Sequence, residues 1–146
     1  EGIFVGYRWV DKDKTKPLFA FGHGLSYTTF DLSNLRLSQK KITENDQLTA
    51  TVTVKNTGRR AGAEVVQLYV SDLKSSLARP KKELKGFKKV YLAPGETKDV
   101  DITIDRSALS FYHDKQQKWV AEPGDFEVLV GNASDHLPLK AKFTLQ

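Results

Sequence analysis

The sequence predicts an all-β protein: a two-sheet antiparallel β-sandwich of about seven strands, fibronectin type III or immunoglobulin-like, carrying an extended N-terminal arm. Three observations predict it. From residue 31 onward apolar residues recur with period two, the spacing that sends alternate side chains to opposite faces of a strand. Glycine, proline and asparagine punctuate these runs where turns are needed. Finally, 146 residues that are 39% hydrophobic and 28% charged suit one domain with its own core.

The elements follow in chain order. Residues 1–29 lack sustained alternation. EGIFVGYRWV mixes glycines with aromatics, DKDKTK is a charged hinge, and PLFAFGHGLSYTTF packs aromatics around a histidine flanked by glycines. This stretch reads as a connector arm whose Phe4, Tyr7, Trp9, Phe19 and Phe21 need a surface to cover, each gaining roughly 1.5–3 kcal/mol by burial. The sandwich takes residues 30–146, and already has a core of its own, so the arm is expected to lie on something else. LSNLRLS supplies the first strand. In QLTATVTVKN, Leu48, Ala50, Val52 and Val54 alternate with Thr49, Thr51, Thr53 and Lys55, the pattern of a half-buried antiparallel strand. AEVVQLYVS is apolar on both faces (Val66, Leu68, Val70 and Val65, Tyr69), which predicts a central strand covered on both sides. KELKGFKKVYL is the next strand. Val100, Ile102 and Ile104 mark a fifth, Phe126, Val128 and Val130 a sixth, and Leu139, Ala141, Phe143 and Leu145 a seventh. Pro94-Gly95 and Pro123-Gly124 have the composition of type II turns, and Asp105 is placed to cap a short helical turn in RSALSFYHD. With no cysteine, the Cys–Trp–Cys pattern of antibody domains is missing and the fibronectin-like form is the better description.

Composition excludes several functions. Without cysteine there is no disulfide framework, thiolate metal site or cysteine nucleophile. No apolar run approaches the roughly 18 residues of a membrane helix. The absence of methionine and the start at Glu1-Gly2 lead us to expect a piece of a longer chain. The net charge of +5 concentrates at Arg79, Lys81, Lys82, Lys85, Lys88 and Lys89, which raises a polyanion or DNA reading. No nucleic-acid motif accompanies this cluster, and its expected place is a solvated strand whose lysines discourage edge-to-edge pairing.

Candidate chemistry is sparse. Asp11-Lys12-Asp13-Lys14-Thr15 begins like a calcium loop, but Lys16 stands at the glycine position and Gly22 at the glutamate position. His23, His113 and His136 lack zinc spacing. Ser26, His23 and Asp31 compose a triad only on paper, with no nucleophile elbow. The acidic residues fall on solvent faces (Asp99, Asp101, Glu127) or in turns (Glu96, Glu122, Asp125), not as the facing pair that glycoside hydrolysis requires. Neither a catalytic residue, a metal nor a cofactor is assigned. Asn132-Ala133-Ser134 matches a glycosylation sequon. Phe111, Tyr112 and Trp119 cluster around one loop as a possible carbohydrate-stacking surface, weighed against a core or domain-contact cluster. Tyr7, Arg8, Trp9, Phe19, Phe21, His23 and Tyr27 are the candidate domain-interface residues.

Taken together, EGIFVGYRWVD, PLFAFGHGLSYTTF, VKNTGRRAGAEVVQLYVSD, RPKKELKGFKKVYLAPGET and SFYHDKQQKWVAEPGDFEVLVGNAS resemble the C-terminal end of glycoside hydrolase family 3, the β-glucosidases with β-xylosidases as close relatives. The resemblance runs over essentially all 146 residues. It implies a parent in which a (β/α)8-type barrel supplies an aspartate nucleophile, an α/β domain supplies a glutamate acid/base, and a fibronectin type III-like domain ends the chain. The nucleophile and acid/base segments would precede Glu1, so no catalytic residue carries over. Residues 1–29 would be the connector from the α/β domain. The implied role is a non-catalytic accessory domain that steadies the catalytic domains of the same polypeptide, with a carbohydrate-binding module as the alternative. Carbohydrate would be met through the parent, a retaining β-glycosidase. Family habit places such a parent outside the bacterial cytoplasm.

Overall fold

The computed structural model describes residues 2–146; Glu1, first residue of the expected arm, lies outside them. Ten strands form two packed sheets and a small hairpin. Strands β1 (Phe30–Leu37), β3 (Leu48–Asn56) and β6 (Thr97–Ile104) make a three-stranded antiparallel sheet in the order β1-β3-β6. The second sheet runs β2-β10-β9-β4-β5, from β2 (Lys41–Ile42), β4 (Gly62–Asp72), β5 (Glu83–Leu92), β9 (Gly124–Gly131) and β10 (Leu139–Leu145). A hairpin of β7 (Phe111–His113) and β8 (Lys118–Val120) stands apart.

The period-two pattern decides what meets between the sheets. Leu48, Ala50, Val52 and Val54 of β3, with Val100, Ile102 and Ile104 of β6, face Val66, Leu68 and Val70 of β4, Phe126, Val128 and Val130 of β9, and Phe143 and Leu145 of β10. All are buried. Phe126 and Phe143 are register partners and stack at 5.5 Å. The opposite, outward face of the β1-β3-β6 sheet is a ladder of cross-strand polar pairs: Thr49 with Thr103 at 2.9 Å, Thr51 donating to Asp101 at 2.6 Å, and Thr53 donating to Asp99 at 2.8 Å, with Arg36 also on Asp99.

Asn56, at the end of β3, is fully buried and joins four segments. Its amide donates to the carbonyls of Arg60 (2.7 Å) and Leu92 (3.1 Å). Its oxygen accepts from Gly58 N–H (3.0 Å) and from the Thr28 hydroxyl (2.7 Å). Gly58 leaves room for this, since a Cβ there would sit 2.2 Å from the Thr28 hydroxyl oxygen.

Several expectations are met and several corrected. Asp105 caps helix α2 (Arg106–Leu109), accepting from Ser107 N–H at 2.9 Å. Ala93–Glu96 forms the expected turn, closed by Glu96 N–H on the Ala93 carbonyl with Gly95 at φ 75°. Pro123-Gly124 does not form one: Gly124 already belongs to β9, paired with Leu145, and the ladder claims its backbone. The seven expected strands are present, joined by three short ones. One of these, β2, pairs parallel with β10, so the sandwich is not wholly antiparallel. The largest correction concerns the arm. It is not extended throughout, because Tyr7–Asp13 form helix α1. Two turns are too short to show a helical period and are marginal alone. The helix is held by side chains on one stripe, Tyr7, Arg8 and Asp11, gripping the sandwich.

Candidate functional site

The arm, expected to lie on something other than the sandwich, instead lies on the outward face of the sandwich's own β10-β9-β4-β5 sheet. The double-sided pattern of β4 explains why. Val66, Leu68 and Val70 fill the core, while Gln67 and Tyr69 point outward and are nevertheless buried, because the arm covers them. Tyr7 meets Tyr69 edge-to-face at 5.6 Å, and its hydroxyl accepts Leu84 N–H of edge strand β5 at 2.8 Å. Phe21 packs on Tyr7 at 5.4 Å, and its carbonyl accepts Ser134 N–H at 2.8 Å. Tyr69 donates to Gln67 Oε1 at 2.7 Å, while Gln67 Nε2 donates to the Asn132 carbonyl at 2.7 Å. Burial, reinforced by nearby Tyr7 and Asp11, pushes the Tyr69 hydroxyl well above the usual phenol range and keeps it a donor.

Gly22 sits at φ 83°, and a Cβ there would come 2.2 Å from Gln67 Nε2. Gln67 is pinned by two hydrogen bonds and cannot swing away freely. Gly22→Ala is therefore expected to lift the arm while leaving the sandwich folded. Hydrogen exchange should then show faster exchange at the Leu84 and Ser134 amides, with β3 and β9 unchanged.

Charge fixes the register of the arm. Arg8 pairs with Glu83 at 3.1 Å, Lys82 pairs with Asp11, and Lys81 donates to the Asp11 carbonyl at 2.6 Å. Behind them lies a dense network. Arg79, 8% exposed at its side chain, donates to Asp72 at 3.1 Å, to Glu83 at 2.7 Å and to the Leu109 carbonyl at 2.9 Å. Burial alone would raise Glu83, but the Arg79 hydrogen bond and the charges of Lys85, Arg79 and Arg8 outweigh it and hold the carboxyl below its usual range. Burial lowers Lys85 against the opposing pull of Glu83. The expectation of a solvated basic strand is thus corrected. Lys88 and Lys89 are exposed on an edge strand, but Arg79, Lys81, Lys82 and Lys85 are occupied with carboxylates or a carbonyl. In the segment whose spacing begins like a calcium loop, Asp11 is tied to Lys82 and Asp13 accepts from Thr15.

The arm's other side faces outward. Of the candidate interface residues, Tyr7 and Arg8 turn to the sandwich, whereas Trp9, Phe19 and Tyr27 turn away, joined by Leu18 and Leu25, with Phe21 half-exposed between the two. An apolar groove runs among Phe4, Tyr7, Trp9, Val10, Pro17 and Phe19. Phe21 connects it to a second depression beside Val65, Leu84 and the exposed Phe87. Val65 and Gly22 connect that one to a polar third, where His23 and His136 stand beside Glu64 and Asn132. The two histidines, distant in sequence, therefore share one groove. His136 Nδ1 bonds Asn132 Oδ1 at 2.8 Å, and Asn132 Nδ2 donates to Glu64 at 3.2 Å, so the sequon asparagine is engaged on both sides. His23 stacks on Phe19 at 5.3 Å, and Ser26 accepts from Thr28 N–H; no hydrogen bond joins His23, Ser26 and Asp31 among the described residues. Among those residues no group of three or more histidine and acidic side chains stands close enough to hold a metal.

The sequence did not single out Gln67, Asp11, Lys82, Glu83 or Ser134 as arm contacts. Only the apolar outer face of β4, already visible at Val65 and Tyr69, signalled that something covers it. The three candidate carbohydrate residues divide: Tyr112 and Trp119 are exposed, while Phe111 turns inward beneath the Arg79 guanidinium, 5.4 Å from its ring.

Comparison with known proteins accords with this architecture. Residues 64–134 match the family model described as a fibronectin type III-like domain. Thermostable beta-glucosidase B of Acetivibrio thermocellus is 49% identical over 140 residues, 96% of this chain and 18% of that protein. A crystal structure of a beta-glucosidase from Kluyveromyces marxianus superposes with a TM-score of 0.89 at 45% identity, over 99% of this chain and 17% of that one. DesR, a beta-glucosidase from Streptomyces venezuelae solved with D-glucose, gives 0.92 at 42% identity, over 100% of this chain and 18% of that one. The chain thus spans less than a fifth of the length of these relatives, which come from bacteria and a yeast alike. No helix among the described residues is long and apolar enough to cross a membrane.

Proposed function

This chain belongs to the fibronectin type III-like region of the glycoside hydrolase family 3 β-glucosidases, and from that premise we propose that it is a non-catalytic accessory domain of such an enzyme. It packs against the catalytic domains of the same polypeptide, which hydrolyse terminal β-D-glycosidic bonds, and stabilises them. Residues 1–29 are the connector, and Trp9, Phe19, Phe21, His23 and Tyr27 contribute to the contact, with Tyr7 and Arg8 holding the connector in place.

One observation carries the reading: the two outer faces of the sandwich differ in kind. On the β1-β3-β6 side, threonines and aspartates satisfy one another at the surface. On the arm side, Leu18, Phe19, Leu25 and Tyr27 of the arm are all more than two-thirds exposed, and Phe19 shares an apolar groove with Trp9 and Phe21. Apolar area of that extent on one side is the mark of an interface. Asp99, Glu96 and Glu122 each accept hydrogen bonds within the domain, from Arg36, from the Ala93 amide and from Ser76 respectively, which holds them below their usual range.

The test is enzymatic. Purified chain incubated with 4-nitrophenyl β-D-glucopyranoside is expected to release no nitrophenol above buffer. Turnover that co-purifies with the chain and is abolished by Glu64→Gln or Glu122→Gln would overturn the proposal.

A further inference from the structure

The β7–β8 hairpin forms a small sheet of its own. Its strands alternate cleanly. Phe111 and His113 turn inward, where Arg79 stands over the Phe111 ring and the His113 side chain is largely buried. Tyr112 and Trp119, direct cross-strand partners, turn outward at 52% and 66% exposure. Their rings meet edge-to-face at 5.8 Å and 71°, an arrangement that fixes the indole and leaves much of it to solvent. Beside Trp119 is a cavity of about 420 Å³ lined by Arg106, Ser107 and Ser110. None of these residues lines the grooves of the arm side.

We propose that this hairpin is a saccharide-binding platform, with a β-linked glucosyl chain stacked on Trp119 and its hydroxyls met by Arg106, Ser107 and Ser110. The choice of occupant follows from the chemistry at the cavity. A rigid indole beside serine oxygens suits a flat ligand with one apolar and one hydroxylated aspect. A β-glucopyranose is such a ligand, with axial C–H groups on its faces and hydroxyls around its rim. The Ser107 and Ser110 hydroxyls donate to Asp105 and to the Arg106 carbonyl, so their oxygens remain as acceptors for sugar hydroxyls. Arg106, with Glu44 at 3.5 Å on the surface, brings the one guanidinium as donor. The partner is therefore uncharged: the cavity holds a single cation already faced by a carboxylate, too little for an anionic polymer. That the sugar is glucosyl and β-linked rests on the reading given under the proposed function; that the platform stacks a sugar does not.

The chain carries two tryptophans, one on each surface, and this makes the test internally controlled. In ¹H–¹⁵N spectra of the 146-residue chain titrated with cellopentaose, the indole resonance of Trp119 is expected to shift saturably while that of Trp9 stays in place. Trp119→Ala should weaken binding by about tenfold, the size typical of losing one stacking ring, and Trp119→Phe should weaken it less. Because Trp119 is exposed, these variants keep the native amide spectrum, so loss of binding is not loss of fold. Movement of Trp9 alone, or no movement of Trp119 up to the solubility limit of the sugar, would overturn the proposal. So would protection of Trp119 by a protein surface in a longer polypeptide that includes this chain. The readout does not use glycosidase activity, so it can fail while the accessory role stands, and the reverse.

Discussion

Asn56→Ala is expected to destabilise the protein by about 3 kcal/mol, read as a lowered urea midpoint at unchanged slope. The side chain is wholly buried and uses both donors and two acceptor positions. Alanine strands the Leu92 carbonyl inside the protein and releases the Arg60 carbonyl, the Gly58 amide and the Thr28 hydroxyl together. An unmet buried polar group costs roughly 1–3 kcal/mol, and the water that could enter beside Arg60 and Thr28 keeps the total below the simple sum. Asn56→Asp is the sharper variant. It keeps the volume and both acceptor bonds but replaces the amide donors by a carboxylate oxygen facing two carbonyls, so it should be at least as damaging at neutral pH and recover as the pH falls. Thr28→Ala, which removes one of the four bonds at a more exposed site, should cost only about 1 kcal/mol. Equal effects for Asn56→Ala and Thr28→Ala would mean that Asn56 is not the junction described above.

Arg79→Met should be the most damaging change in the charged network, costing about 3–5 kcal/mol at pH 7. Asp72 and Glu83 are both nearly buried around the guanidinium, at 5% and 13% side-chain exposure, and methionine leaves two carboxylates without their shared cation. The pH dependence identifies the cause. In the native protein Glu83 titrates below its unfolded value, so its stabilising contribution is full above the ordinary carboxylate range and is lost as the pH falls through its depressed folded value. In the variant, burial acts on Glu83 with less opposition and raises it, and protonation then relieves the folded state. The stability gap between native and variant protein should therefore narrow as the pH falls from 7 into the carboxylate range. A gap independent of pH would assign the loss to packing of the Arg79 guanidinium on Phe111.

The sandwich was legible in the sequence because its signal is repeated. Each of Leu48, Ala50, Val52 and Val54 reports the same face, and the inward series read from period two join the core or pack against it, Ala141 excepted. The outward pairing of Thr51 with Asp101 needs only the same alternation on two strands. The elements that escaped are those with no period to read. Helix α1 has two turns, no side-chain N-cap and a lysine in the left-handed conformation at its end; it is a helix because Leu84, Glu83 and Lys82 hold Tyr7, Arg8 and Asp11. Three-residue strands such as β7 and β8 are equally invisible, although their pairing is what brings Tyr112 to Trp119. Ion pairing was hidden by composition. Arg79, Lys82 and Lys85 read as excess positive charge because their partners, Asp72, Asp11 and Glu83, are assembled only by folding. The double-sided apolar pattern of β4 showed that its second face is covered, but not that the cover is the chain's own arm.

The central claim, an accessory domain that docks through its arm-bearing face, is tested most directly in a whole enzyme. This chain would replace the matching region of thermostable beta-glucosidase B of Acetivibrio thermocellus, and β-glucosidase activity remaining after heating would be compared among surface variants. Trp9→Asp and Leu25→Asp lie on the arm side, and Thr53→Lys lies on the threonine–aspartate side. The account predicts that both arm-side changes sharply shorten the heat-inactivation half-life while Thr53→Lys leaves it near that of the unsubstituted chimera. Arm-side variants as heat-resistant as that chimera, with Thr53→Lys labile, would place the docking surface on the opposite sheet and contradict it.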